Sequence, residues 1–111
     1  MQQSGEIKKQ FNIEKDNLFS DTELIKNAFK LCINYSLLVE EYIFKVLSTK
    51  NVNFVLAAAG SFSRRELSPY SDIDLMFITE DISQNRKSIE ESVNLLWDIG
   101  IEISHTVREF F

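Results

Sequence analysis

Asp72 to Thr79 reads Asp-Ile-Asp-Leu-Met-Phe-Ile-Thr, and its alternation constrains the fold more than any other stretch of the chain. Successive side chains of a strand face opposite sides, so Ile73, Leu75 and Phe77 share one face while Asp72 and Asp74 share the other. The apolar face anchors the strand in a core. The two carboxylates, on one side and two residues apart, repel each other unless a cation lies between them. Hard divalent cations such as magnesium take oxygen ligands and share them with substrate phosphates. Two aspartates on a rigid strand can hold one or two such ions at a fixed separation, where paired ions stabilise the entering and leaving oxygens of a phosphoryl displacement.

Upstream, Asn53 to Ala59 (NFVLAAA) reads as a buried strand ending in small residues, and Gly60-Ser61 breaks it. Residues 62–67 read as a short helical turn, and Ser68-Pro69-Tyr70 as a loop. Glycine lets an anion approach the backbone closely, and the unpaired amides that open a helical turn attract phosphate. Arg64 and Arg65 lie within a turn of it. Ten residues separate Ser61 from Asp72, enough for a short helix and a return, so the turn and the acidic strand can be neighbours. Together they suit a nucleoside triphosphate and its metal. Other roles compete residue by residue: Ser61 as a helix cap, Arg64 and Arg65 as surface charges paired with Glu66 or the acidic body.

The remainder supplies helices. Ser20-Asp21-Thr22-Glu23 has the S-x-x-E pattern of a capping box, with Ser20 as the N-cap. From there Leu24, Ala28, Leu31, Tyr35, Leu38, Tyr42 and Val46, flanked by Ile25, Phe29, Cys32, Val39 and Ile43, recur at helical spacing and predict a helix over 21–48. Unbroken, it would run for about 42 Å at 1.5 Å per residue, too long for a small compact domain, so it breaks or reaches beyond it. A second helix is expected over 83–98, with Ser83 as cap, Ile89, Val93, Leu96 and Trp97 on its inner face, and Gly100 ending it. Ile101 to Val107 alternates, with Ile101, Ile103, His105 and Val107 on one face and Glu102, Ser104, Thr106 and Arg108 on the other, as a third strand does. Residues 1–19 read as a loosely held, partly helical arm. The order gives an α+β fold: a small mixed β-sheet with helices packed on one face, preceded by a long N-terminal helix.

At 111 residues the chain holds one core. A net charge of −5 speaks against a general nucleic-acid binder, so a polyanionic ligand has to be met by metal ions, backbone amides or a few arginines. Cys32, the one cysteine, has no internal partner and lies in an apolar helical pattern, as suits packing in a reducing cytoplasm. No apolar run approaches the roughly 20 residues of a membrane span, and the N-terminus lacks a signal-peptide core. A soluble, cytoplasmic protein without a membrane partner is expected. His105 reads as a packed core histidine, and Arg108 as a salt-bridge partner of Glu102 or a substrate contact.

GSFSRRELSPYSDIDL and LLWDIGIEISHTVR resemble the two motif blocks of a branch of the DNA polymerase beta-like nucleotidyltransferase superfamily, that of the bifunctional uridylyltransferases that modify the nitrogen-regulatory PII signal protein. The resemblance covers Val55 to Arg108, with Ser63 and Ser104 in place of family glycines and Thr106 in place of a serine. It implies that 20–111 is a nucleotidyltransferase core, cut from a longer multidomain protein or a short relative. It further implies that Asp72 and Asp74 ligate two Mg2+ ions and that Gly60 and Ser61 cradle the β and γ phosphates. An acceptor hydroxyl then attacks the α phosphate, releasing pyrophosphate. Superfamily members use a third carboxylate on the next strand, and Glu102 is the acid on that polar face. The implied reaction is UMP transfer from UTP to a PII-type protein. Adenylyl transfer from ATP to another protein or small molecule is an alternative, and so is a non-catalytic nucleotide-binding module dimerising through its first helix.

Overall fold

The computed structural model describes residues 2–48, 53–68 and 71–110. Pro69 and Tyr70 of the expected loop, and the side chains of Leu24 and Ile25 in the expected stripe, lie outside the described residues. The elements run α1 (Gln2–Ser20), α2 (Thr22–Ile25), α3 (Ala28–Leu47), β1 (Val55–Ala59), α4 (Gly60–Ser63), β2 (Ile73–Thr79), α5 (Ile82–Asp98) and β3 (Ile103–Glu109).

The sheet has the order β1-β2-β3, with β1 antiparallel and β3 parallel to β2. Ala59 pairs with Asp74, and Asp74 with Ser104. The end of β1 and the starts of β2 and β3 therefore share one end of the sheet. Along β2 the expected alternation holds: Ile73, Leu75, Phe77 and Thr79 are buried, and Asp74, Met76 and Ile78 between them are half-buried. The helices cover the first of these faces, where Val39, Tyr42, Phe77, Leu96, Ile99 and Ile101 are among the most deeply buried side chains. Each such apolar side chain contributes about 1.5–3 kcal/mol by leaving water. No helix among the described residues is long and apolar enough to cross a membrane.

The predicted long helix is broken. Asn27 starts α3 by accepting the Lys30 N–H at 3.1 Å, which divides α2 from α3. The cap of α2 is Asp21, accepting from Glu23 N–H at 3.0 Å, and not Ser20, which closes α1 by donating to the Asp16 carbonyl at 2.6 Å. Ser20 cannot cap a new helix while it is still the last residue of the one before.

The segment 1–19, read as an arm, lies from Gln2 on within the helix α1, which packs Ile7, Phe11, Leu18 and Phe19 against the core, with Phe19 5.1 Å from Tyr35. Phe11 is buried and meets Tyr42 edge-on at 5.1 Å, while the Tyr42 hydroxyl donates to Glu14. Burial pushes that hydroxyl's pKa well above its ordinary value, and the Glu14 hydrogen bond and the charges of Glu14 and Glu41 push the same way.

At α5 the cap is Asp81, two residues before the expected Ser83. Its carboxylate accepts the Ser83 hydroxyl at 2.7 Å and the Gln84 N–H at 3.1 Å, and these bonds hold it below the usual carboxylate range. Gly100, at φ +97°, ends the helix as expected: its N–H returns to Trp97 O and that of Ile101 to Leu96 O. Trp97 is half exposed rather than core, its indole N–H donating to Ile103 O at 3.2 Å. His105 is also exposed, contrary to its expected burial; its ring stands edge-on to Phe77 at 5.8 Å. β3 is an edge strand, and on its helix side Ile103 is buried, His105 exposed and Val107 half-buried. β1, expected to be buried, is likewise an edge strand, with Val55 and Ala58 exposed.

Candidate active site

The strand-to-helix corner forms without a spacer. Ala59 is extended, Gly60 takes φ +58°, and α4 begins at Gly60 itself. That left-handed value costs a residue with a side chain about 1–2 kcal/mol. Space is an independent restriction: a Cβ on Gly60 would stand 2.5 Å from Asp74 Oδ2. The second aspartate of the Asp-x-Asp pair thus presses its carboxylate against the backbone of the glycine turn. Buried Phe62 anchors the turn, and the Ser63 hydroxyl folds back to donate to Gly60 O at 2.6 Å. The Ser63 side chain is thereby tied to the turn.

After α4 the chain closes with Arg65 N–H on Phe62 O at 3.1 Å and Glu66 N–H on Ser61 O at 2.9 Å. This pattern places Arg65 where helices usually have glycine, and its φ is 55°. Both arginines make exposed ion pairs, Arg64 Nε with Glu66 Oε2 at 3.2 Å and Arg65 Nη2 with Glu40 Oε2 at 3.5 Å. Such pairs are worth little individually, so both guanidinium groups can be drawn to an incoming anion.

The return to β2 is fixed by serines that the sequence reading passed over. Buried Ser36 on α3 accepts Leu67 N–H at 3.1 Å and donates to Cys32 O at 2.8 Å. Ser71 Oγ accepts Ser68 N–H at 3.0 Å and lies 2.8 Å from Ser68 Oγ. The sequence signal was the pair of serines bracketing Pro69 and Tyr70, which suits a loop closed by hydroxyls.

Asp72 is exposed just before β2, Asp74 half-buried within it, and Glu102 exposed just before β3. Among the described residues, no three His, Cys, Asp or Glu side chains gather closely enough to hold a metal. Glu102 is therefore not assembled with the two aspartates into a three-acid cluster. Nor does it pair with Arg108, because Arg108 lies opposite Ile78 toward the far end of β3, about 20 Å along the strand. In donor chemistry, the two aspartates suit a hard cation that takes its remaining oxygens from a phosphate chain.

In sequence the chain is similar to one portion of the bifunctional uridylyltransferase/uridylyl-removing enzymes. It is 47% identical over 53 residues to such an enzyme of Hydrogenovibrio crunogenus, covering 48% of this chain and 6% of the relative. With that of Stutzerimonas stutzeri it shares 44% over 61 residues, covering 53% of this chain and 7% of the relative. With that of Haemophilus influenzae it shares 30% over 102 residues, covering 90% and 12% respectively. The chain thus spans only about a tenth of the length of these curated relatives. No family model and no solved structure matches it.

Proposed function

We propose that the corner formed by Gly60, Ser61, Asp72 and Asp74 carries out nucleotidyl transfer, moving UMP from UTP to a hydroxyl of a PII-type protein. The observation that carries this reading is the contact of Gly60 with Asp74: the turn suited to phosphate and the acid suited to its metal are immediate neighbours. The similarity to bifunctional uridylyltransferase/uridylyl-removing enzymes supports the choice of UTP.

Magnesium, when bound, would neutralise the phosphate oxygens and polarise the α-phosphorus. Asp72 and Asp74 would hold it. The amides of Gly60 and Ser61 would face the β and γ phosphates, with Arg64 and Arg65 leaving their exposed glutamate partners for the same charge. The acceptor oxygen forms its bond to the α-phosphorus as the bond to the bridging oxygen breaks; pyrophosphate leaves and the hydroxyl proton passes to solvent. Rate enhancement would rest on positioning and electrostatics. Glu102, at the same end of the sheet, is the candidate for a third acid.

One observation favours a second reading, a module that binds nucleotide without transfer: no three-acid group is gathered among the described residues. Labelled UTP, magnesium and a PII-type protein decide between them. Transfer that disappears in Asp72→Ala and Asp74→Ala supports the enzyme, whereas tight nucleotide binding without transfer supports the module. Preference for ATP over UTP would redirect the reading to adenylyl transfer.

A further inference from the structure

The two edges of the sheet are finished differently. Proteins protect an exposed edge strand from pairing with other chains by placing charges, proline or a bulge along it. β3 carries His105, Arg108 and Glu109. β1 carries none of these: it reads Val-Leu-Ala-Ala-Ala, and its register with β2 runs from Val55↔Ile78 to Ala59↔Asp74 without a skipped residue. Among the described residues no strand lies against its outer edge. A row of backbone N–H and C=O groups of this kind is satisfied best by another extended backbone.

From these features we infer that β1 pairs antiparallel with β1 of a second copy, joining two three-stranded sheets into one of six strands about a two-fold axis at Ala57. The composition of β1 selects a second copy as the occupant. Paired with itself about Ala57, β1 sets Val55 opposite Ala59 and Leu56 opposite Ala58, so each large side chain meets a small one and Ala57 meets Ala57. The axis stands perpendicular to the sheet, which puts both helical layers on the same side. Beside β1 on that side is a cavity of about 570 Å³ lined by Ile43, Phe44, Leu47, Leu56 and Phe62, with Glu40 and Arg65 among its polar lining. Phe44 is 75% exposed. In the dimer the two helical layers lie on the same side of the joined sheet, with the exposed Phe44 rings beside the seam. Because the strands run in opposite directions, the two Gly60 corners lie at opposite ends of the joined sheet and stay open. Dimerisation is independent of the proposed transfer.

Light scattering after size exclusion on the 111-residue chain tests this. The expected mass is twice 12.9 kDa. Ala57→Lys sets two like charges face to face at the axis and is expected to weaken association by about tenfold or more. The side chain of Ala57 lies on the sheet face away from the helices, beside Met76, so the substitution leaves the core alone. A second variant guards against misfolding: in a Cys32→Ser background, Ala57→Cys is expected to cross-link under mild oxidation, because its Cβ atoms face each other. Val55→Cys, opposite Ala59 instead, is expected to stay uncross-linked. A chain that stays monomeric up to about 1 mM overturns the inference. So does a dimer that persists in Ala57→Lys and fails to cross-link through Ala57→Cys, which would point to the exposed Phe29 and Leu37 on α3 instead. Asp74→Ala is expected to dimerise like the parent chain whatever its transfer activity.

Discussion

The pairing of α1 with α3 and the corner joining β1 to β2 are both interior contacts, yet they are specified in opposite ways. α1 holds to α3 through apolar ring contacts, Phe11 against Tyr42 with the Tyr42–Glu14 hydrogen bond beside it and Phe19 against Tyr35. Apolar packing of this kind is graded: a smaller ring or a longer aliphatic chain costs something and still folds. At the corner, Gly60 combines a positive φ with a carboxylate where its Cβ would be, so a side chain there meets both a strained backbone and an occupied space. The helices are set by how much surface is hidden, and the corner by which atoms are allowed in.

Substitutions can break or sharpen that contrast. The largest effect is expected from Asp74→Asn, which keeps the shape of the corner and removes its charge. Transfer of labelled UMP should fall by about a thousandfold or more, while the melting temperature barely changes. Phe11→Ala should do the reverse, costing about 3–4 kcal/mol in urea unfolding while the folded fraction keeps its activity per molecule. A loss of activity larger than the loss of folded chain would show that the helices reach into the chemistry.

Gly60→Ala comes next, at about 2 kcal/mol of stability together with most of the transfer. Repeating it in an Asp74→Ala background should recover the part due to crowding and leave the part due to φ, which a double-mutant cycle separates.

Tyr42→Phe tests the helical side by pH. The folded pKa of Tyr42 is raised, so the folded state keeps a proton that the unfolded chain gives up near pH 10. The stability this supplies is complete below about pH 10 and fades as pH rises toward the folded value. The wild-type chain should therefore lose stability faster than Tyr42→Phe above about pH 10. The smallest effect is expected from Arg65→Gly, a gain of about 0.5–1 kcal/mol from relieving the left-handed backbone, the exposed Glu40 pair adding little.

How much could be read in advance follows the same division. β2 was legible because a period of two with buried Ile73, Leu75 and Phe77 allows one arrangement, and the neighbouring turn followed from the Gly60 break and the short return. The helix caps were misread by one or two residues. Ser20 and Asp21, and likewise Ser83 and Asp81, are rival oxygens side by side, and the direction from which the chain enters the helix chooses between them. α1 looked like an arm because its polar sequence shows little periodicity, and the burial of Phe11 depends on α3, far along the chain. His105 and Trp97 were assigned to the core by periodicity alone, which cannot say where an edge strand outruns its helical cover or which side of a helix faces solvent.

Ser36 ties the two regions together. Its one proton goes to Cys32 O and its oxygen takes the Leu67 N–H, all within the buried heart of α3. A helix joined in this way to the loop entering β2 cannot rotate or slide without dragging that loop. The position of α3 thus fixes where the chain sets out, five residues ahead of Asp72, toward the acidic strand.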